Sequence, residues 1–571
     1  MPPNFTQEPP ALGNQYDDDR VLRSYLRRCL PAEMHADVAP SLHEMGGRAG
    51  GELYDLQQSD LRSEPVLTRW GPWGERIDQI EVTDVWAKAE TIAAEEGVVA
   101  AAYEQAQGRF SRVYQMALAY LFIPSTDMYG CPLAMTDGAA RTLLDVNGGA
   151  LAEEAVPHLT SRDPDTFWTA GQWMTELAGG SDVGRARTTA RRDDDGSWRL
   201  HGRKWFTSAI TANIALALAR PEGNPDGGPG LALFYVPIRD GDGLREGISV
   251  NRLKDKLGTR KLPTAELDLE GAVARPLTSE LKHGTRHIAP MLNVTRTWNA
   301  VTAAALIRRG LALARDYAQK RTAFGRPLIE HPLHRETLAD IQAVLEGTVH
   351  LAFRPVELLG RTETGTADSS HDALLRLLTP IAKLTTAKRA VAQTSELLEA
   401  FGGAGYVEDT GLPPLLRDAQ VLPIWEGTTN VLALDLLRAL ERTDGLAPLQ
   451  SEVQRCLAPL QAPLRDLVQP AQDAFASAVA WWDTHNDGPT DERNADARRL
   501  ALTLGSCLEV IYTARHAQWA LDTQQDPRSA DATERLAARR LNHLDPAPRS
   551  GTNALAQDIS STDVDDWTPT R

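Results

Sequence analysis

The 571-residue chain reads as a mainly α-helical protein with one β domain inserted between helical ones. Three observations predict this. Before residue 171, and again after residue 285, apolar residues recur at intervals of three and four, the period of a helix with one buried face. Between those limits, short runs of strand character alternate with turns rich in Gly, Pro and Asp. The length also exceeds what one ordinary core accommodates, so several domains are expected.

Residues 1–60 read as an extension rich in Pro and Asp, with one short helix-like stretch, DDRVLRSYLRRCL. Residues 61–170 form an N-terminal helical domain, carried by VTDVWAKAETIAAEEGVVAAAYEQ and SRVYQMALAYLFIP. Residues 171–285 form the middle β domain. There RTTARRDDDGSWRLHGRKWFTSAI reads as two strands around an Asp195-Gly196 turn, a favoured hairpin dipeptide. IALALARPEG, GLALFYVPI and AELDLEGAVARPL supply further strands. Residues 286–440 return to long helices whose apolar spacing suits a bundle. Residues 441–548 add another helical domain, with Val453, Leu457, Leu460, Leu464, Leu467, Ala471 and Phe475 at helical spacing. Residues 549–571 are polar and read as a disordered tail.

Composition narrows the function classes. The chain is 42% apolar and 24% charged, as in a water-soluble globular protein. No apolar run is long enough to cross a bilayer, so no membrane partner is expected. The N-terminus lacks the basic and apolar regions of a secretory signal. Cys29, Cys131, Cys456 and Cys507 lie far apart, without metal or disulfide spacing. These points indicate a cytoplasmic protein. A net charge of −17 opposes wholesale nucleic-acid binding but leaves room for a local basic patch. No G-x-G-x-x-G follows a strand, and no Walker A, HExxH or GxSxG is present, so a Rossmann-type fold is not indicated.

The stretch PIWEGTTNVLALDLLRAL places one carboxylate, Glu426, between Trp425 and Gly427 at the mouth of an apolar helix. Its residues alone allow two readings. In the local one, Thr428, Thr429 or Asn430 caps the helix and the acid merely favours its dipole. In the other, Glu426 is a desolvated general base facing a pocket. These residues by themselves favour the local reading.

Other stretches change the balance. MTELAGGSDV (174–183), GRKWFTS (202–208), KRTAFGRPL (320–328), FGGAGY (401–406) and WEGTTN (425–430) each have an ordinary explanation as turns, strands or helix ends. Occurring in this order on this texture, the five resemble the acyl-CoA dehydrogenase superfamily, over roughly residues 75–440. CPLAMT (131–136), LKDKLGTR (253–260), the sequence around Glu426 and the long C-terminal helical segment resemble its AidB branch more specifically.

The resemblance implies a helical domain, a β-barrel-like middle domain and a helix bundle, with FAD as cofactor and an acyl-CoA thioester as substrate. It assigns Gln172, Met174, Thr175, Gly180 and Ser181 to FAD, and sets Trp205 and Thr207 against the isoalloxazine. Arg321 and Phe324, three apart on what reads as one helix face, would reach FAD bound mainly by a neighbouring subunit, which implies a homotetramer. Glu399, Gly402 and Gly403 fall beside the diphosphate, and Thr428 and Asn430 are further cofactor contacts. The family usually carries Gln where this chain has Glu399, and a carboxylate there repels a diphosphate unless it points away.

Glu426 matches the family's catalytic base, with β-hydride transfer to flavin N5. The α-proton of a thioester is very weakly acidic, so such chemistry needs a desolvated base and an oxygen-stabilising site. In the family, the backbone N–H of this glutamate helps polarise the thioester oxygen. A minority of members carry the base one residue before an arginine. Here that place is Thr295, before Arg296, so Glu426 is the only candidate base and Arg296 its neighbour.

The AidB branch adds a second implied activity: binding of double-stranded DNA with protection against alkylation damage and little or no dehydrogenase turnover. Its candidate residues are Arg438, Arg498, Arg499, Arg539 and Arg540. That branch sets the arginine at 438 near the active-site channel, whereas spacing alone reads Asp435 and Arg438 as a surface pair. Residues 441–571 contain 13 Arg, no Lys and 20 Asp and Glu, a balance unfavourable for phosphate.

Overall fold

The computed structural model describes residues 6–241, 243–544 and 552–558. Most of the tail expected after residue 548 lies outside them; Thr552–Gln557 within it is helical.

Residues 20–59, read from sequence as part of an extension with one short helix, form three helices: Arg20–Cys29, Ala32–Gly50 and Glu52–Ser59. The first is capped by Asp19, whose carboxylate accepts from the Leu22 N–H at 2.9 Å. Its apolar face, Val21, Leu22, Tyr25 and Leu26, is buried. A hairpin, Val66–Trp70 with Arg76–Glu81, follows. Asp78 within it accepts from the Val250 N–H at 2.9 Å, which docks the hairpin on the β domain rather than on the helices before it. Helices Asp84–Glu95, Ser111–Phe122 and Gly130–Asp145 complete the first helical layer.

The middle domain is a seven-stranded sheet. From one end, its strands run Ile248–Leu253, Thr264–Pro276, Trp198–Ser208, Thr189–Arg192, Ile214–Pro221 and Ala170–Trp173. Ala232–Pro237 pairs with both Ile214–Pro221 and the end of Thr264–Pro276, which bends the sheet towards a barrel. The expected turn is present: Thr189–Arg192 and Trp198–Ser208 are antiparallel, with Gly196 at φ +86°. The domain has its own apolar core, including Trp173, Phe234, Val250 and Leu267.

Three 32-residue helices, Ala289–Lys320, Pro332–Glu363 and Ser369–Ala400, form the bundle, joined by Thr429–Arg442. Beyond it, Thr490–Gln524 lies along the bundle and Arg528–Ala537 closes over one end. A single apolar core runs through the N-terminal helices, the bundle and this C-terminal layer. Buried ion pairs cross the same boundaries. Arg389 of the bundle meets Glu509 at 2.8 Å, Arg354 meets Glu452 at 2.8 Å, and Arg20 pairs with Glu346. Among the described residues, no helix is long and apolar enough to cross a membrane.

Candidate active site

Glu426 lies on the loop between the helices Pro414–Ala419 and Thr429–Arg442. Thr428 is the N-cap of the second helix, its hydroxyl accepting from the Val431 N–H at 3.4 Å. Leu432, Leu436 and Leu437 bury that helix's apolar face. The local reading of this sequence is therefore correct as far as it goes, but it leaves Glu426 unexplained. Glu426 itself has φ +56° and Gly427 φ +102°. A side chain in the left-handed region costs about 1–3 kcal/mol and persists only where its surroundings hold it.

Those surroundings are specific. Lys383, buried at 0% exposure on the helix Ser369–Ala400, donates to the carbonyls of both Trp425 and Gly427 at 2.7 Å. Arg296 Nε donates to the carbonyl between them, that of Glu426, at 3.2 Å. Three successive carbonyls are thus held by two cations from two bundle helices. The Trp425 indole donates to Asn299 Oδ1, anchoring the residue before the acid. The Thr295 hydroxyl donates to Glu426 Oε2 at 2.6 Å, fixing the half-buried carboxylate. Thr295, the position weighed from sequence as an alternative to Glu426, is thus a hydrogen-bond donor to Glu426.

Arg296 and Asp435 form an ion pair at 2.9 Å, and Arg376 joins it at 2.8 Å. Burial alone would raise the Asp435 carboxyl, but Arg376 and Arg296 bring it below its ordinary value. The expected Asp435–Arg438 surface pair is only half present. Asp435 is buried, while Arg438 is exposed and 3.6 Å away. Arg438 therefore lies at the exposed edge of this cluster. Two deeper arginines already saturate the acid that would draw it inwards.

Beside the loop, Asp418 accepts from the Thr259 N–H at 2.6 Å. A Cβ on Gly258 would come within 2.2 Å of the Arg417 carbonyl, so only glycine lets LKDKLGTR approach this closely. Burial raises the Asp418 carboxyl to about 6 and lowers the Lys256 amine to about 8. Cys131 of CPLAMT is also buried, its thiol pushed up to about 12 by desolvation and then by Glu426. The two stretches that singled out the branch thus flank the loop that carries Glu426.

The residues expected to hold FAD lie on the middle domain and at two bundle corners. Gln172 is on Ala170–Trp173, a strand at the end of the sheet path. Its Nε2 donates to Met174 Sδ at 3.0 Å, while its Oε1 is buried without a partner among the described residues. The Thr175 carbonyl accepts from the Trp205 N–H at 3.0 Å, which brings the two motifs together. Trp205 is half-buried with the Lys254 ammonium 3.9 Å from its ring. Thr207 is buried and its hydroxyl donates to the Ala265 carbonyl at 2.7 Å. Gly180 and Ser181 are exposed at the tip of a loop pinned from below. There Glu176, next to Thr175, pairs with buried Lys204 at 2.8 Å and accepts from the Arg187 N–H at 2.6 Å.

Arg321 and Phe324 do not share a helix face. The helix ends at Lys320, and Thr322–Ala323 pairs with Arg326–Pro327 in a small hairpin. Phe324 and Gly325 form its turn at φ +49° and +83°, a tight connection that a helix cannot continue through. Phe324 is 99% exposed at its tip. Gly402 and Gly403 begin a short 3-10 turn after Ala400, and a Cβ on either would meet nothing within 4 Å. Their backbone is open to a ligand. Glu399 is exposed on the last helical turn, and Asn430 is exposed at the start of its helix. This set fits FAD: an orphaned amide oxygen, an end strand, an indole face and open glycine backbone.

Of the arginines singled out for DNA, Arg499 donates to Asp496 at 3.1 Å and Arg540 to the Asn542 carbonyl at 3.3 Å. Arg498, Arg539 and Arg540 are exposed. A cavity of about 1020 Å³ lies elsewhere, between Arg20, Arg308, Arg315 and Arg528.

Sequence reasoning missed Lys383, Asn299 and the supporting role of Thr295. One signal for Lys383 was available: it is a lone cation among Leu377, Leu378, Ile381, Ala382 and Leu384, an apolar stretch of its helix.

Comparison with known proteins agrees with this geometry. The acyl-CoA dehydrogenase middle domain matches residues 171–272, and the acyl-CoA dehydrogenase C-terminal domain matches residues 282–441. The adaptive response protein AidB N-terminal domain matches residues 7–166, including most of the supposed extension. Acyl-CoA dehydrogenase family member 11 of Caenorhabditis elegans is 46% identical over 451 residues, 77% of this chain and 73% of that protein. The putative acyl-CoA dehydrogenase AidB of Escherichia coli (strain K12) is 35% identical over 434 residues, 73% of this chain and 76% of that protein. The crystal structure of Caenorhabditis elegans ACDH-11 in complex with C11-CoA superposes with a TM-score of 0.92 at 40% identity, covering 96% of this chain and 94% of that one. With family models matching the middle sheet, the bundle and the N-terminal helices, and with relatives at 46% and 35% identity each covered over more than two thirds, the chain belongs to the acyl-CoA dehydrogenase family, in the branch that carries an AidB-type N-terminal domain.

Proposed function

We propose that the protein is an FAD-dependent acyl-CoA dehydrogenase in which Glu426 removes the α-proton of an acyl-CoA. The observation that carries this reading is the loop itself. A carboxylate is held in the left-handed region by two cations on its backbone and by the Thr295 hydroxyl on its own oxygen. A surface acid needs none of these supports. Glu426 is the base, and Thr295 fixes the oxygen that it does not use. The Glu426 N–H, which has no acceptor among the described residues, is the donor for the thioester oxygen as negative charge develops there. Gln172, Thr175, Trp205 and the Gly402–Gly403 backbone would hold FAD, which when bound supplies the acceptor for the β-hydride. The exposed Phe324 and Gly402–Gly403 corners suit contact with cofactor held by another copy, so a homotetramer belongs to this reading. The C11-CoA bound by ACDH-11 makes a medium-length acyl chain the first substrate class to try.

The test is an anaerobic titration of the yellow protein with short, branched and eleven-carbon acyl-CoAs, following the oxidised flavin absorbance. Bleaching by one class is expected, slowed roughly 10²–10⁴-fold in Glu426→Gln, the usual worth of a general base. A protein that no acyl-CoA bleaches overturns the reading. In that case duplex DNA is the next ligand, on the exposed Arg498, Arg539 and Arg540. Salt-dependent binding lost on neutralising Arg539 and Arg540 would then support the second activity.

A further inference from the structure

We infer that Lys383 is a polarising residue: its ammonium, bonded to the Trp425 carbonyl, strengthens the Glu426 N–H as the hydrogen-bond donor to the substrate's thioester oxygen. This deepens the reading above and rests on it.

The argument starts from a covalent fact. The Trp425 carbonyl and the Glu426 N–H are two ends of one peptide group, linked by resonance across the C–N bond. A positive charge on the oxygen end draws electron density from the nitrogen and makes its hydrogen a better donor. Hydrogen bonds in a chain strengthen one another in this way, more so in a medium of low dielectric. Lys383 Nζ is 2.7 Å from that carbonyl, a short bond for a charged donor. It is buried, so water does not screen it.

The second bond has the same consequence. Lys383 Nζ is 2.7 Å from the Gly427 carbonyl, whose peptide carries the Thr428 N–H. With Arg296 on the Glu426 carbonyl, all three peptides from 425 to 428 have a cation at their oxygen end. Their N–H ends therefore form a locally electropositive backbone. The Glu426 N–H is left without an acceptor among the described residues, available for substrate. A buried lysine placed only to hold the loop would perform the geometric part of this task. The charge performs the electronic part, and the two can be told apart.

Charge at Lys383 is also switchable. Burial lowers its amine to about 7, against the pull of Glu426 and with the push of Arg296. Those are the charged groups that act on it. Below pH 7 the amine is an ammonium and the peptide is polarised; as pH rises above 7 the charge is lost while the neutral amine keeps two N–H donors for the two carbonyls.

The experiment uses the FAD-loaded protein with an eleven-carbon trans-2-enoyl-CoA labelled with ¹³C at the thioester carbonyl, read by isotope-edited infrared difference spectroscopy. In the wild type at pH 6, the bound carbonyl stretch is expected at lower frequency than in water. Most of that displacement is expected to be lost in Lys383→Met and partly retained in Lys383→Gln. In the same variants kcat falls roughly ten- to a hundredfold, less than the 10²–10³-fold usual for deleting an oxyanion donor outright, while KM changes little. Should the variants fail to fold, the wild type decides by itself: its displacement must diminish as pH rises from 6 to 9. An unchanged carbonyl frequency in folded Lys383→Met, or a wild-type frequency that ignores pH, overturns the inference while leaving the dehydrogenase reading intact. Failure of every acyl-CoA to bleach the flavin would overturn the dehydrogenase reading separately, because the carbonyl frequency is read on a ligand that need not react.

Discussion

Replacing Thr295 with Val keeps the shape of the side chain and removes the 2.6 Å bond to Glu426 Oε2. The carboxylate then loses the contact that fixes its rotamer. Misplacing a reacting group by a fraction of an ångström costs about tenfold or more in rate. We expect a roughly tenfold slower flavin bleaching in stopped-flow, with unchanged thermal stability. Gly427→Ala acts on the same loop through the backbone. At φ +102° an alanine is strained, and its Cβ would lie 3.2 Å from Leu432 Cδ2. At this scale the immediate neighbours of Glu426 favoured the local helix-cap reading, and Glu426 was singled out in the sequence only by the five ordered motifs elsewhere in the chain. The contacts of Lys383 were not legible, because they depend on where its helix crosses the loop.

At the scale of elements, the loop 175–181 depends on the buried pair of Glu176 and Lys204. Lys204→Met leaves Glu176 buried without its cation, and breaking such a pair costs about 3–5 kcal/mol. We expect a lower melting temperature and protein that purifies with less FAD, measured by the ratio of flavin to protein absorbance. The long helices Ser369–Ala400 and Thr490–Gln524 meet where Gly505 faces Thr385. A Cβ on Gly505 would lie 2.0 Å from Thr385 Oγ1. Gly505→Ala is therefore expected to destabilise by about 1–3 kcal/mol through overpacking, measured by denaturant unfolding. The helices themselves were readable from their three-and-four spacing. The Thr322–Ala323 hairpin was not: a two-residue turn carries too few residues to show a period, and Phe324 is an unusual residue at positive φ.

At the scale of the whole molecule, one network joins three parts of the chain. Arg354 on the bundle meets Glu357 at 2.6 Å and Glu452 of the C-terminal layer at 2.8 Å, and Tyr25 of the first helix donates to Glu357 at 2.9 Å. Burial by itself would raise the Glu357 carboxyl, but Arg354 and Arg28 hold it down at about 2. A carboxyl lowered on folding stabilises the native state above its unfolded pKa and loses that contribution as the pH falls through its folded pKa. Here the window runs from about pH 4.5 down to 2, and the loss amounts to about 3 kcal/mol. The melting temperature is therefore expected to fall steeply over that window, and less steeply in Glu357→Gln, whose starting stability is lower. Removal of residues 441–571 should yield insoluble protein, because it bares one side of a continuous core and strands Arg354 and Arg389 without Glu452 and Glu509.

The sequence by itself determined the order of helical and β regions, because the periods of 3.6 and 2 are local properties of the chain. It also determined the family, because five short motifs keep their order and identity. Only the tertiary structure decided that residues 20–59 and 441–544 are parts of one core with the bundle, since burial depends on what lies across a contact. It alone decided that Asp435 is buried between Arg296 and Arg376 while Arg438 faces solvent. Above all, it decided which cations hold the loop around Glu426. Lys383 and Arg296 are 43 and 130 residues from that acid along the chain, and only the crossing of the bundle helices brings their charges to its backbone.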